Sequence, residues 1–596
     1  MKLWRDLVLL RRFFRYARLK FPEARRRMRV LPVSIGLGLM FPYLTMRFID
    51  EVLMGGQSQR APLYIGLMIA AAAGSAALDA WCTFSCQRAG QTGIYGLRNH
   101  FFGHILRLPR RFFDEHPVGS LLSKVTTDTE VLQESLVTSL YALFTDLLRI
   151  AGLLVFLFWI SPPLAGLLTA LLIPSFLMSY AFQRGLRGIY LKAWRALSES
   201  TAFLQECLKG VRTVQLFNAE ARVQTRYEHK NARYYSAQKI ANIGEAGIGA
   251  FAEAMTSLAT VLVLWAGARG VLNGTLSLGA VVAFLNSVDR LFIPVRDFMT
   301  HLTNLGRCFA SLEHLDEIFR EAPEPSGGGV APNDPRLEVF ETLRFEKVGF
   351  RYRAEGPDVL KNVSFSLSRG ERLAIVGPTG SGKSTIIRLL TGAYTGYRGS
   401  IRLNDIELSQ IPLKRLRRLI GVMAQDTHLF EESVSFNIAL ERPGVEFVDI
   451  ESAAGDVYAD RFIRELPGAY DFRVGEQGRN LSSGQGQLLG LARSMAGKSQ
   501  VTILDEATSA VDSVTEKWIE KAIHQVLQKQ TVIAIAHRLS TIRDADRILV
   551  LHEGRVVESG RHDDLMQAGG LYAKLARNME YTARHGEAPA APSPGA

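Results

Sequence analysis

Apolar residues in the first three hundred positions gather in long runs. Six stretches, estimated at 28–52, 62–87, 133–159, 163–183, 244–269 and 277–297, are each long and apolar enough to cross a bilayer as helix, which takes about 20 residues. Their connections alternate. Segments 53–61, 160–162 and 270–276 are short and poor in basic residues, whereas 88–132 and 184–243 are long and basic, with eleven Lys or Arg between 184 and 240. By the positive-inside rule, both long loops, the N-terminus and everything after the sixth stretch lie in the cytoplasm. Within those loops "LRNHFFGHILRLPRRFF" and "SESTAFLQECLKGVRTVQLF" keep apolar residues at helical spacing. The membrane helices are therefore expected to continue beyond the bilayer and turn there.

The pattern changes at "REAPEPSGGGVAPNDPR" (320–336), a Pro- and Gly-rich linker that cannot form a core. It separates a membrane domain at 28–319 from a second domain at 337–575. There strand-like runs ("RLAIVG", "LIGVMA", "VTILDEA", "TVIAIAH", "RILVL") alternate with helical ones, the mark of an α/β domain. The opening "MKLWRDLVLLRRFFRYARLKF" mixes arginines with apolar residues and lacks a cleavage site, so residues 1–27 read as an amphipathic helix on the membrane surface. Residues 576–596, ending in "ARHGEAPAAPSPGA", read as a disordered tail.

Composition supports a membrane protein. The 596 residues are 47% hydrophobic with mean hydropathy +0.07, too apolar for a simple soluble enzyme. The formal charge of +12 suits nucleic acid in principle, but eleven Lys or Arg against two acids fall in the first thirty residues, beside an apolar segment. Topology explains that excess better, and no nucleic-acid partner is expected. Cys82, Cys86, Cys207 and Cys308 form no zinc or disulfide framework.

Chemistry enters at GPTGSGKST, residues 377–385, between an apolar run and a helical one. The spacing G-x-x-x-x-G-K-[ST] lets Gly377, Gly380 and Gly382, with Pro378, Thr379 and Ser381 between them, fold a tight loop whose N–H groups face phosphate oxygens. Lys383 then serves the β- and γ-phosphates, Ser384 ligates Mg²⁺, and Thr385 continues the loop into the helix. In "VTILDEATSAVD" an apolar strand delivers Asp505 as a second Mg²⁺ ligand, through water, and Glu506 to polarise an attacking water. Alone, such a strand end is more often a solvated turn. Beside a phosphate loop it is the expected metal and base pair.

Together these residues resemble the ATP-binding cassette exporters of the half-transporter type, over about 28–575. "LSSGQGQ" resembles that family's L-S-G-G-Q signature, with Leu481, Ser482, Gly484 and Gln485 in place and Ser483 where the family has glycine. The resemblance implies that Tyr352 stacks on adenine, that Gln425 reaches Mg²⁺ and the attacking water, that His537 contacts the γ-phosphate and that Asp512 lies in the loop crossing the dimer interface. A lone histidine at a strand end is ordinarily structural; its place in the ordered set argues otherwise. The implied fold is an all-α six-helix membrane domain with long cytoplasmic helical extensions, joined to an α/β P-loop ATPase domain with a RecA-like core and a helical subdomain. Because the signature loop closes over ATP on the opposite subunit, two chains are needed. The complete set of chemical residues favours a homodimer over pairing with a related half-transporter.

The resemblance also marks two coupling loops. Phe112, Phe113, Asp114, Gly119 and Asp128 follow the first pattern; Glu206, Gly210, Val214, Phe217 and Glu220 follow the second. It implies alternating access in a multi-pass protein of a bacterial inner membrane, with the nucleotide domain in the cytoplasm. For cargo the sequence offers only ionisable groups at membrane depth. Asp146 and Arg149, three apart, are expected to neutralise each other. Asp79, Glu253 and Asp289 either face a central cavity, with Asn286 nearby and Phe284 and Phe292 as apolar walls, or form interhelical pairs. The first case gives an acidic chamber suited to cationic or zwitterionic amphiphiles such as a drug-like compound, a natural product or a lipid. A lipid flippase, a gated channel and a soluble P-loop ATPase acting on nucleic acid are the competing readings.

Overall fold

The computed structural model describes residues 29–585 except 117, 134–136, 325–328, 332, 354, 425–426, 506–512 and 536–538. The expected surface helix at 1–27 lies outside the described residues. Contacts divide the chain into two units: one runs to Arg107 and again from His116 to Glu321, the other takes Leu108–Glu115 and everything from Ala322.

The first unit is helical. In chain order the main helices are α1 (Leu31–Arg47, continued as a π-helix over Phe48–Met54), α2 (Ala61–Ile105), α3 (Arg110–Glu115, which belongs to the second unit), α4 (Val137–Ile160), α5 (Pro162–Lys209), α6 (Val211–Leu216), α7 (Glu220–Leu272) and α8 (Leu278–Arg320). Six spans among the described residues are long and apolar enough to cross a membrane, as the sequence pattern predicts. Helices α2, α5, α7 and α8 have 45, 48, 53 and 43 residues. At 1.5 Å per residue each is about 65–80 Å long, roughly twice the hydrocarbon thickness. The long basic loops are thus the ends of these helices. Apolar side chains such as Ile69, Val155 and Trp159 are 64–72% exposed, as helices solvated by lipid require.

Sequence fixes the turns. Pro162 and Pro163 cannot prolong α4, so the chain turns at extended Ser161 and starts α5 at once. The start of α8 is tied to the end of α1. Ser277 caps it, its Oγ accepting from Ala280 N (3.1 Å) and donating to Asp50 Oδ2 (2.6 Å), while Gly279 N donates to Asp50 Oδ1 (2.8 Å). A Cβ on Gly279 would fall 2.7 Å from Asp50 Oδ1 and collide with the Met46 carbonyl. Only glycine permits this approach.

The second unit carries two sheets. One is antiparallel, in the order β2 (Leu360–Ser368), β1 (Thr342–Phe350), β4 (Arg398–Leu403), β5 (Ile406–Glu407). The other has the order β10 (Arg555–Gly560), β9 (Arg547–His552), β3 (Arg372–Val376), β8 (Thr531–Ile535), β7 (Val501–Asp505), β6 (Ile420–Met423), parallel except for β10. Strand β8 is buried along its whole length and β3 and β7 nearly so, because both sheet faces are covered. Around them lie α9 (Lys383–Leu390), α10 (Val434–Ala439), α11 (Phe447–Asp456), α12 (Ala459–Glu465), α13 (Ser483–Ala496), α14 (Ser513–Lys529), α15 (His562–Ala568) and α16 (Leu571–His585).

Two expectations at the edges of this unit change. The tail does not begin at 576: α16 continues to His585, since Tyr572, Ala576 and Met579 share a helical face packed on Ala374, Ile548 and Val550. Residues 586–596 lie outside the described residues. The linker is also less free than its composition suggests, because Glu324 takes both guanidinium nitrogens of Arg417 at 2.7 and 2.9 Å.

Candidate functional site

Strand β3 ends at Val376, and the chain then turns sharply through residues 377–382 into α9. Gly377 lies against the Leu551 carbonyl where a Cβ would collide, and Gly382, the residue preceding α9, holds φ +107°, a left-handed value that favours glycine. Pro378, Thr379 and Gly380 complete the curve. Lys383 is buried and folds back on its own loop, Nζ donating to the carbonyls of Gly377 (2.7 Å) and Pro378 (3.0 Å). Burial lowers its pKa, while the Asp505 carboxylate at the end of β7 acts to raise it. The Ser381 hydroxyl is buried with no hydrogen-bond partner, and Ser384 is exposed at the start of α9. A buried cation turned onto its own loop carbonyls, a buried hydroxyl without a hydrogen-bond partner among the described residues and a helix N-terminus converge at this turn, a set of donors suited to an anion such as a phosphate.

On the base side, Tyr352 sits at the head of the loop after β1. Its ring packs edge-on against Phe350 and Tyr394, with centroids 5.0 Å away in both cases, and its hydroxyl lies 2.9 Å from Thr385 Oγ1. The first turn of α9 and the expected adenine platform are thus hydrogen-bonded to each other.

Ser482 caps α13 through a reciprocal pair: Gln485 N donates to Ser482 Oγ (3.2 Å) and Ser482 N donates to Gln485 Oε1 (2.9 Å). Leu481 packs on the helical core, Ser482 and Ser483 are exposed and Gly484 is buried. Ser483 at the first helical position therefore keeps the turn intact. Gln425, Glu506, Asp512 and His537 lie outside the described residues, but the chain resumes directly after Gln425 and Asp426 at Thr427, against α13. Gly490 meets Thr427 there, and Arg493 donates to the carbonyls of His428 (2.9 Å) and Asn437 (2.7 Å). Asn437, fully buried, closes the same loop by bonding Phe430 N and O. Arg442 in turn donates to the Arg493 carbonyl. Sequence reading missed Arg493, Asn437 and Arg442, because a cation in "LLGLARSMA" reads as a solvated position; its apolar neighbours were the available signal.

Of the coupling residues, Phe112 is buried and crosses Phe113 at 88°, and Asp114 Oδ2 accepts from Tyr394 Oη at 2.6 Å within the second unit. Gly119 and Asp128 lie in the first unit, where Asp128 accepts from Ser311 Oγ (3.0 Å). In the second loop Glu206 ends α5 (its carbonyl accepts from Gly210 N), Val214 lies within α6 and Glu220 begins α7. Leu216 and Phe217 at that tip are 70% and 77% exposed.

The intramembrane groups are rearranged relative to the sequence reading. Arg149 does not pair with Asp146: its Nη2 lies 2.6 Å from Asp79 Oδ2, and Ser34 Oγ donates to Asp79 Oδ1 at 2.6 Å. Asp146 faces His301 at 3.9 Å instead. Packing across helices, not spacing along one, decides these partners. Phe284 and Phe292 are not chamber walls, being 0% and 4% exposed in a cluster with Leu153, Leu157 and Val288. Glu253, Asn286 and Asp289 are exposed. Arg290 donates to the Gly38 carbonyl (3.0 Å) and lies over Phe41.

Comparison with known proteins agrees with this geometry. The family profile of the ABC transporter transmembrane region matches residues 31–295, and a second profile, ABC transporter, matches 360–509. The chain is 35% identical to an uncharacterised ABC transporter ATP-binding protein of Bacillus subtilis, YknV, over 83% of its own length and 81% of the relative's. It is 32% identical to an ATP-dependent lipid A-core flippase of Chromohalobacter salexigens over 83% and 84% of the two chains. Among solved structures, a bacterial Atm1-family ABC exporter with ATP bound matches 95% of this chain and 99% of its own with a TM-score of 0.78 at 26% identity.

Proposed function

Because the chain belongs to the ATP-binding cassette transporter family, with membrane and ATP-binding parts fused, we propose that it exports amphipathic molecules by alternating access as a dimer. It is a multi-pass membrane protein that couples ATP hydrolysis to transport, which removes the soluble nucleic-acid reading. The observation that carries the proposal is the convergence of the buried Lys383, the Ser381 hydroxyl and the start of α9 on the same polypeptide as six spans of membrane-crossing length among the described residues.

In this reading Gly377–Ser384 grips the triphosphate, Tyr352 and Thr385 serve its base side, Glu506 polarises the attacking water, and Gln425 and His537 orient it. Mg²⁺, held by Ser384, Gln425 and Asp505, offsets the charge of the β- and γ-phosphates. Ser482 and Gly484 of a second copy complete each site through the N-terminus of α13, with Asp512 at the seam. The exposed Leu216 and Phe217 favour a second chain, since an apolar loop tip needs a seat. A bacterial inner membrane fits the relatives.

For cargo, the Asp79–Arg149 pair and the cation Arg290 add positive charge to the membrane-depth groups, which also include the exposed Glu253 and Asp289. That favours a lipid-like amphiphile with a zwitterionic or anionic headgroup over a cationic drug, and keeps the flippase reading, which the 32% identity to a lipid A-core flippase supports. ATP-dependent accumulation of labelled amphiphile in inside-out vesicles, lost on Glu506→Gln, is the expected result. A passive conductance that survives that substitution contradicts it.

A further inference from the structure

Tyr394 has no role in the reading above, yet it touches both Tyr352 and Asp114 within the second unit. It lies in the turn after α9, 9% exposed, with its ring edge-on to Tyr352 (5.0 Å, 87°) and to Phe350 (5.8 Å, 75°). Its hydroxyl donates to Asp114 Oδ2 at 2.6 Å, on the short helix α3 that joins α2 to the rest of the membrane domain. Arg110 Nε holds the other oxygen of Asp114 at 3.0 Å, so that carboxylate is fixed from two sides. Arg388 spans the pair of tyrosines, its guanidinium carbon 5.7 Å from the Tyr352 ring and 6.0 Å from that of Tyr394. Burial and Asp114 push the Tyr394 phenol up to about 12, so it stays a donor throughout the physiological range.

We infer that Tyr394 is a positioning residue that transmits occupancy of the adenine side of the ATP site to α3 (Arg110–Glu115), the segment of the second unit that lies between α2 and α4 in the chain. The inference rests on the transporter reading and adds a route to it. A base stacked on Tyr352 meets a ring whose one face is already occupied by Arg388 and whose hydroxyl is held at Thr385. Tyr352 packs directly on Tyr394, so on this proposal a shift of the ring that receives the base is passed to Tyr394 and from its hydroxyl to Asp114. Coupling of this kind is reciprocal: a displacement of α3 by cargo alters affinity for adenine by the same factor. Triphosphate alone should not engage it.

The test uses the full chain in lipid nanodiscs with Glu506→Gln to prevent turnover. Hydrogen exchange is followed in the peptide covering 108–116, with ATP and Mg²⁺ or with tripolyphosphate and Mg²⁺. ATP is expected to change exchange and tripolyphosphate to leave it as it was. Tyr394→Phe should reduce the ATP response, measured at saturating ATP, about fivefold or more, the low end of site-to-site coupling. Asp114→Ala should give the same loss, and the double variant no further loss. A full ATP response in Tyr394→Phe, or an equal response to tripolyphosphate in the parent, overturns the inference and leaves the transporter reading standing. Absence of ATP binding by the parent chain defeats the transporter reading itself.

Discussion

Gly490 and Thr427 approach so closely that a single added carbon has no room: a Cβ on Gly490 would stand 2.5 Å from Thr427 Oγ1 and 2.8 Å from its Cγ2. This contact joins the helix begun by Ser482 to the segment that follows Gln425. Gly490→Ala should therefore cost about 1–3 kcal/mol by overpacking and lower ATPase activity. Thr427→Ala in the same chain should restore both. Thermal unfolding and steady-state hydrolysis check the pair; an unaffected Gly490→Ala would show that the helix slides freely there.

Arg493 secures the same junction by a different force. It donates to two carbonyls and to Asn437 Oδ1, and burial pulls its pKa below the ordinary arginine value. Arg493→Ala removes the side-chain donor from the two carbonyls, at about 1–3 kcal/mol each before relaxation, while Asn437 Oδ1 keeps its bond from Phe430 N. The expected outcome is a lowered melting temperature and hydrolysis reduced beyond what Arg493→Lys produces.

The Asp79–Arg149 pair makes a prediction about the membrane domain. Removing one partner strands a charge at membrane depth, so Asp79→Ala or Arg149→Ala should each destabilise the protein by about 2–3 kcal/mol. The double variant should lie closer to the parent than the sum of the two. Thermal unfolding in detergent measures the cycle. Additive losses would mean that the two groups do not interact.

Lys383 predicts a pH dependence. Burial lowers its folded pKa below the ordinary value near 10.4, so its ammonium is lost at lower pH than in the unfolded chain. Between the two values the unfolded chain binds more protons, and the cost of burying the charge is relieved as pH rises. ATP needs the charged form. Affinity of the Glu506→Gln variant for ATP should therefore fall as pH rises through the lowered value, by up to about tenfold per unit. Lys383→Ala should bind weakly with a flat profile. A flat profile in the parent would remove Lys383 from the phosphate site.

Much of this architecture was legible in the chain. The six spans follow from apolar runs of bilayer length, and the sharp turn at 377–382 from the spacing of Gly377, Gly382 and Lys383, because both rest on local covalent and steric rules. Partners across elements were not legible. Arg149 reaches Asp79 seventy residues away and not Asp146 on its own helix, and Tyr394 finds Asp114 across 280 positions. Nothing in local spacing encodes such distances. Phe284 and Phe292 show the same limit: periodicity marks a helix face as apolar but does not say whether it meets a cavity or another helix. The tail was misread for a related reason, since the weak stripe of Tyr572, Ala576 and Met579 gains meaning only against the sheet it covers.

The claim on which the account depends is that Ser482 of one chain closes over ATP held by the other. A structure of the Glu506→Gln protein trapped with ATP and Mg²⁺ measures it as the distance from Ser482 Oγ to the nearest γ-phosphate oxygen. The account predicts a hydrogen bond of about 3 Å, to a nucleotide gripped by Lys383 of the second copy. Nucleotide bound at Lys383 in both chains, with both Ser482 hydroxyls far beyond hydrogen-bonding reach of any phosphate, would contradict it.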